Sequence, residues 1–255
     1  MIKKFTILTS SYNCYKYLPD WYKSICFQTY RPLEVVLVND HSKDKTKNLI
    51  EGFTKGFKEV DIDFKYLKNS KRNFCGTSYS IGLENVTGNY IGILDSDDML
   101  EPFACEYVAG LYEKYSEVTW LYTQHNKYNR KMKRIIKRGT SCAPPPKKSL
   151  LYLSNKRVRA FSHWRTFSDR VPHKERIFKR GLRCAVDKYM GYKLEELGIG
   201  MFVDKVCYRF RTRSRYEKSI SSSEPMTKIH AKLVCMFKKR RLKGNKNFPI
   251  LEHKK

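Results

Sequence analysis

No stretch of this sequence reaches eighteen consecutive apolar residues, so it offers no candidate transmembrane helix. The opening Met1 to Thr9 has too short an apolar run for an export signal and reads as a first strand, which points to the cytoplasm. Paired cysteines are also missing. Eight cysteines are scattered at positions 14, 26, 75, 105, 142, 184, 207 and 235, with no Cys-x-x-Cys among them. A reduced domain that buries them as small side chains is expected, without a disulfide frame or a zinc site. Ser10-Ser11-Tyr12-Asn13-Cys14-Tyr15 contains no glycine, so no phosphate cradle follows the first strand. That weighs against a sugar-nucleotide synthase, which would place a Gly-rich basic loop there.

Acids are scarce in the second part of the chain. Residues 1–100 hold fourteen Lys or Arg against twelve Asp or Glu, and the remaining 155 hold thirty-eight against thirteen. Nearly all of the formal charge of +27 therefore lies behind residue 100. Such asymmetry implies an anionic partner, namely a membrane surface, an acidic glycan or a nucleic acid, unless it is only a solubilising face. Residues 127–183 are the extreme case, with nineteen Lys or Arg and two acids, Asp169 and Glu175. Aromatics are interleaved there, as in a nucleic-acid groove, but no zinc-ligand spacing or nucleic-acid module accompanies them. Nucleic acid is the disfavoured partner.

What the chain does have is alternation. Lys3 to Thr9 reads as a strand, Tyr17-Leu18-Pro19-Asp20 opens a helix, and Leu33 to Val38 is a near-continuous apolar run. That run lacks polar alternation and suits a parallel strand covered on both faces. Ser42 or Asp44 can cap a helix carrying Leu49, Ile50 and Phe53. Ile62 to Leu67, then a helix from about Thr77 to Asn85, then Tyr90 to Leu94 continue the series. Glu101-Pro102 begins another helix, and Val118 to Thr123 forms a further strand. The order fits an open, mostly parallel α/β sheet of Rossmann-like type flanked by helices. Met226 to Leu242 reads as a basic amphipathic helix with Met226, Ile229, Leu233 and Phe237 on one face. It either lies on an anionic membrane or docks on the domain.

Asp95, Asp97 and Asp98 follow an apolar strand. In such sheets ligands collect beyond the carboxyl ends of strands, and a divalent cation relieves repulsion between adjacent carboxylates. From spacing alone, the acidic turn could equally cap the following helix.

Three segments in this order, Phe5-Thr6-Ile7-Leu8-Thr9-Ser10-Ser11-Tyr12-Asn13, Leu37-Val38-Asn39-Asp40-His41-Ser42-Lys43-Asp44 and Leu94-Asp95-Ser96-Asp97-Asp98, resemble glycosyltransferase family 2. The resemblance is strong over residues 3–110. It implies the GT-A fold and inverting transfer of a sugar from a nucleoside diphosphate, with Mn²⁺ or Mg²⁺ as cofactor. Residue by residue, it places Ser11, Asp40, Asn73, Gly76, Asp95 and Ser96 at the nucleotide sugar. Asp40 would accept from a ring N–H, as in UDP or GDP donors. Asp97 is the implied metal ligand and Asp187 the implied general base, although Val186 replaces the acid that usually precedes it. Asp169 is the reserve base, ahead of Glu175. His163, Trp164 and Arg165 fall where the acceptor cavity is lined, and Arg209 or Arg211 where the diphosphate is met. A Gln-x-x-Arg-Trp motif is absent, which disfavours a processive synthase.

The expected organisation is a GT-A domain over 1–215, with a nucleotide half at 1–124 and an acceptor half at 125–215. A basic helical C-terminal extension occupies 216–255. The acceptor expected is a glycan or lipid-linked molecule, anionic in character, in surface polysaccharide or lipopolysaccharide synthesis, with peripheral contact at the inner membrane face as an option. A catalytically degenerate nucleotide-sugar-binding protein is the competing reading.

Overall fold

The computed structural model describes residues 2–145, 148–153, 164–212, 224–244 and 250–252. The boundary expected at 215/216 and the residue His163 lie outside that set. Ten strands among the described residues form one sheet. They are β1 (Phe5–Ser11), β2 (Leu33–Asn39), β3 (Ile62–Lys68), β4 (Tyr90–Ile93), β5 (Met99–Leu100), β6 (Val118–Tyr128), β7 (Ile135–Arg138), β8 (Arg165–Ser168), β9 (Ile199–Arg211) and β10 (Ile250–Glu252). The helices are α1 (Leu18–Cys26), α2 (Lys47–Glu59), α3 (Phe74–Leu83), α4 (Ala104–Lys114), α5 (Leu150–Leu153), α6 (Val186–Leu197) and α7 (Glu224–Gly244).

The strands run in the order β10-β9-β6-β8-β4-β1-β2-β3, with β5 paired to β9 and β7 to β6. The first three strands step outward in one direction, and β4 then returns to the other side of β1. This makes β1/β4 the switch point, where such sheets open a ligand crevice. Most pairs are parallel, but β8 is antiparallel to both β4 and β6.

Every residue of β2 is buried, and the strand serves two cores. Val35 and Leu37 join Ile7, Trp21, Phe53 and Phe57 on one face, whereas Val36 and Val38 join Leu8, Tyr79, Ile91 and Met190 on the other. The near-continuous apolar run is thus the period-two pattern of a sheet with no wet face.

Element starts differ from the sequence expectation in two places that matter. The helix expected at Thr77 begins at Phe74, because the Asp40 carboxylate holds the backbone N–H groups of Asn73 and Phe74 at 2.7 and 2.8 Å. The helix expected from Glu101-Pro102 begins at Ala104, because the Glu101 N–H is bonded to the Cys207 carbonyl of β9.

Helix α7 settles one alternative. Leu233 and Phe237 are buried on α6, with Phe237 edge-on to Tyr189 and Tyr192 at 5.6 and 5.3 Å, and Ile229 packs beside them. The Met226 side chain lies outside the described set. The apolar stripe is therefore docked on the domain. Among the described residues, no helix is long and apolar enough to cross a membrane.

Candidate active site

Ser11, Asp40 and Asp95 stand at or just past the carboxyl ends of β1, β2 and β4. The register sets Ser11 beside Asn39 and Leu8 beside Ile93, so the three residues cluster around the switch point. Thr9 helps lock the arrangement. It accepts from the Trp21 indole at 3.0 Å and donates to the Leu94 carbonyl at 2.8 Å. The Ser11 hydroxyl is buried and has no hydrogen-bond partner, the state expected of a group that completes its bonding with a ligand.

Asp40 is 2% exposed and accepts from Asn69 Nδ2 at 2.8 Å as well as from the two backbone amides at the start of α3. Its carboxylate therefore shapes the 69–74 loop, with one acceptor position on Oδ2 left over. Asn73 is the N-cap residue of α3. Gly76 sits in a tight packing position. A Cβ there would lie 2.4 Å from the Lys179 carbonyl and 2.8 Å from that of Leu182, whose oxygen also accepts the Gly76 N–H.

The acidic turn divides its three carboxylates. Asp98 points into the protein, accepting from the Tyr208 hydroxyl at 2.7 Å and the Arg211 N–H at 2.7 Å. Burial first, then the nearby Asp97 and Asp95, push its pKa well above the usual carboxylate range. Asp98 thus anchors the turn to β9. Asp95 and Asp97 remain partly exposed. Asp95 accepts from the Tyr79 hydroxyl at 3.0 Å and lies 3.9 Å from an Arg165 guanidinium nitrogen. Burial raises its pKa and the Asp97 charge adds to that, against the pull of Arg165.

Among the described residues no group of three or more His, Cys, Asp or Glu is arranged to hold a metal. The residues nonetheless fit a hard divalent ion that takes most of its ligands from elsewhere. Asp97 offers carboxylate oxygen, and the mutual repulsion with Asp95 is what a cation would relieve.

Arg165, expected at the acceptor, lies beside the acidic turn, 3.9 Å from Asp95. Because β8 runs antiparallel between β4 and β6, its first residue sits beside Ile93 at the carboxyl end of β4. Arg165 is 4% exposed. Burial opposes its charge, but Asp95 and then Asp187 outweigh this and hold it firmly protonated. Trp164, expected to stack on an acceptor sugar, is fully buried and stacks on Phe5 at 6.2 Å, which closes that role to it.

Asp187 lies in the first turn of α6, after Ala185 in the left-handed region at φ 55°. Burial works against its ionisation. Lys188, Arg165, the Lys188 N–H and His230 together prevail and hold the carboxyl below its usual range. An anionic Asp187 is what a general base requires. His230 of α7 acts on it electrostatically and is itself held by the Tyr192 hydroxyl at 3.1 Å.

Both late arginines are paired within the protein. Arg209 pairs with Glu101. Arg211 is 2% exposed; its Nε donates to the Asp97 carbonyl at 2.6 Å, one terminal nitrogen to Asp20 at 2.7 Å and the other to the Arg130 carbonyl. Sequence reasoning missed Tyr79, Asp20 and His230. Single polar residues on helices give no signal until packing assigns their neighbours.

A switch-point crevice, an acidic turn after β4 and a carboxylate at the head of α6 are features of the GT-A glycosyltransferase fold. The comparisons place the chain more narrowly. Residues 6–176 match the model of glycosyl transferase family 2, and the chain belongs to that family. It is 28% identical to an Escherichia coli chondroitin synthase over 90% of its own length and 32% of the relative's. Against a Pasteurella multocida hyaluronan synthase it is 30% identical, over 80% of this chain and 20% of that one. The chain thus spans a third or less of these relatives. Among solved structures, S. aureus TarS 1-349 in complex with UDP-GlcNAc superposes with a TM-score of 0.67 at 16% identity, over 94% of this chain and 73% of that one. A Pyrobaculum calidifontis mannosyltransferase in complex with GDP-Man and Mn²⁺ gives 0.59 at 15% identity, over 85% and 59%.

Proposed function

We propose that the protein is an inverting glycosyltransferase that moves a sugar from a nucleoside diphosphate to an acceptor hydroxyl. The observation that carries this reading is that Arg165 of β8 lies 3.9 Å from Asp95, just past β4, while its charge also acts on Asp187 at the head of α6. The names of the chondroitin and hyaluronan synthases support a role in surface polysaccharide or lipopolysaccharide synthesis, with a glycan or lipid-linked acceptor.

In this reading Ser11 and the free Oδ2 position of Asp40 meet the nucleotide, with UDP and GDP as the donors that offer a ring N–H. Asp187 takes the proton of the acceptor hydroxyl as its oxygen attacks the anomeric carbon. The bond to the diphosphate breaks on the opposite face, which inverts the configuration. Arg165 keeps Asp187 ionised and fixes Asp95 beside the sugar. Mn²⁺ or Mg²⁺ held by Asp97 would supply positive charge to the diphosphate.

The test is a thermal-shift panel of nucleoside diphosphates and their sugars with and without Mn²⁺, followed by transfer assays. Binding to the folded state raises the midpoint. No metal-dependent response to any donor would defeat the proposal. Val186, buried where the family usually has an acid, gives the binding-only alternative its footing. Donor binding with neither transfer nor donor hydrolysis would favour that alternative.

A further inference from the structure

The membrane contact considered for α7 has a better site elsewhere. Residues 127–138 form a hairpin in which β7 pairs antiparallel with the end of β6. The segment Lys127-Tyr128-Asn129-Arg130-Lys131-Met132-Lys133-Arg134-Ile135-Ile136-Lys137-Arg138 holds seven cations and no acid. Arg138 pairs with Asp204 at 2.6 Å, and Lys127 lies over the Phe210 ring, 6.0 Å from its centroid.

The tip is a built structure. The Asn129 side chain accepts from the Lys133 and Arg134 N–H groups at 3.0 and 3.2 Å, and the Asn129 N–H reaches the Arg134 carbonyl at 2.9 Å. Met132 and Tyr128 face inward, each 9% exposed. Lys131, Lys133, Arg134 and Lys137 are turned to solvent. Lys127 and Lys137 are direct partners across the ladder, which brings two cations to one place on the hairpin.

Two adjacent isoleucines complete the surface. Ile135 and Ile136 are 51% and 50% exposed, and a register shift at Lys127/Tyr128 breaks the alternation of sides that would otherwise bury one of them. A polyanion such as nucleic acid gives isoleucine nothing to contact. It would instead call for exposed aromatics, and the aromatic here, Tyr128, is buried. Anionic lipid suits both parts, headgroups for the cations and the acyl boundary for the isoleucines.

We propose that the 127–138 hairpin docks the protein on an anionic membrane surface. The docking surface is linked to the candidate active site through one side chain, because the Arg130 carbonyl accepts from Arg211, which also holds the Asp97 carbonyl. A docked hairpin sets the acidic turn beside the lipid headgroups.

Flotation of the full chain with vesicles of phosphatidylcholine alone and of phosphatidylcholine with phosphatidylglycerol tests this. Binding is expected only to the second kind. The triple variant K131Q/K133Q/R134Q should partition on the order of a hundredfold more weakly. The pair I135S/I136S, at unchanged charge, should lose about tenfold. All five side chains are exposed, so folding is not at stake. The proposal fails if wild type ignores phosphatidylglycerol, or if I135S/I136S binds vesicles as well as wild type, which would indicate a polyanion site. It also fails if K238E/K239E on α7 abolishes binding while the hairpin variants do not.

Discussion

The Tyr208 hydroxyl donates to the buried carboxylate of Asp98 at 2.7 Å and accepts the Asp95 N–H at 3.3 Å. One phenol from β9 thus fixes both ends of the acidic turn. Tyr208→Phe should leave Asp98 with one fewer donor in a site water does not reach and cost about 1–3 kcal/mol. Denaturant unfolding would read the loss, and weaker metal-dependent donor binding should accompany it.

Asp187→Asn keeps the shape of the side chain and removes its basicity. Transfer should fall about 10²–10⁴-fold while donor affinity stays near wild type. Titration of donor in the thermal-shift assay separates the two effects. Full transfer by this variant would reassign the base, with Asp169 next in line. The Asp169 N–H bonds the Asn89 carbonyl and its carboxylate takes the Asn89 amide, so it serves a turn rather than the crevice.

Arg165→Met should move the acid limb of the transfer rate to higher pH. Arg165 is among the charges that hold the Asp187 carboxyl low, so losing it raises that pKa, and the base protonates at a pH where wild type is still ionised. Arg165→Lys retains the charge and should shift the limb less. An unmoved limb in Arg165→Met would separate Arg165 from the base.

Glu34 makes a pH prediction for stability. It is buried in β2, accepts from Thr6 and Thr87 and pairs with Lys65 at 2.8 Å. Burial favours the neutral form, but Lys65 and the hydroxyl and amide donors outweigh it, and the pKa falls below its ordinary 4.5. The folded state therefore holds this stabilisation above the unfolded pKa and loses it as pH falls through the lower folded value. Lys65 is 40% exposed, which limits the pair, so Glu34→Gln should cost about 1–2 kcal/mol at neutral pH and less in acid. Unfolding curves at several pH values would show the gap closing.

Strands β1 to β4 and the helices between them were legible because their side chains repeat with the period of the element and both sheet faces are apolar. The acidic turn was legible through motif resemblance, which spacing alone would not have replaced. Strand β8 was not legible. Four residues in a basic stretch carry no periodic signal, and its insertion between β4 and β6 is a fact of topology. The burial of Trp164 is invisible for that reason. The resemblance sets Arg165 and Trp164 at the acceptor side by side, whereas an antiparallel insertion sends one to the acidic turn and the other under Phe5. Asp98 was read with Asp95 and Asp97 as one cluster. Only the position of Tyr208 and Arg211 on β9 shows that it faces the other way.

The antiparallel β8 also has a consequence for biosynthesis. As the chain leaves the ribosome, β1 to β4 can assemble first, yet β4 keeps an unpaired edge until residues 165–168 arrive. β6 emerges earlier and must leave room for the strand that will separate it from β4. The nascent protein therefore carries an open sheet edge through the synthesis of its most basic stretch. The cations there oppose self-association of that edge during the interval when it is most exposed to other chains.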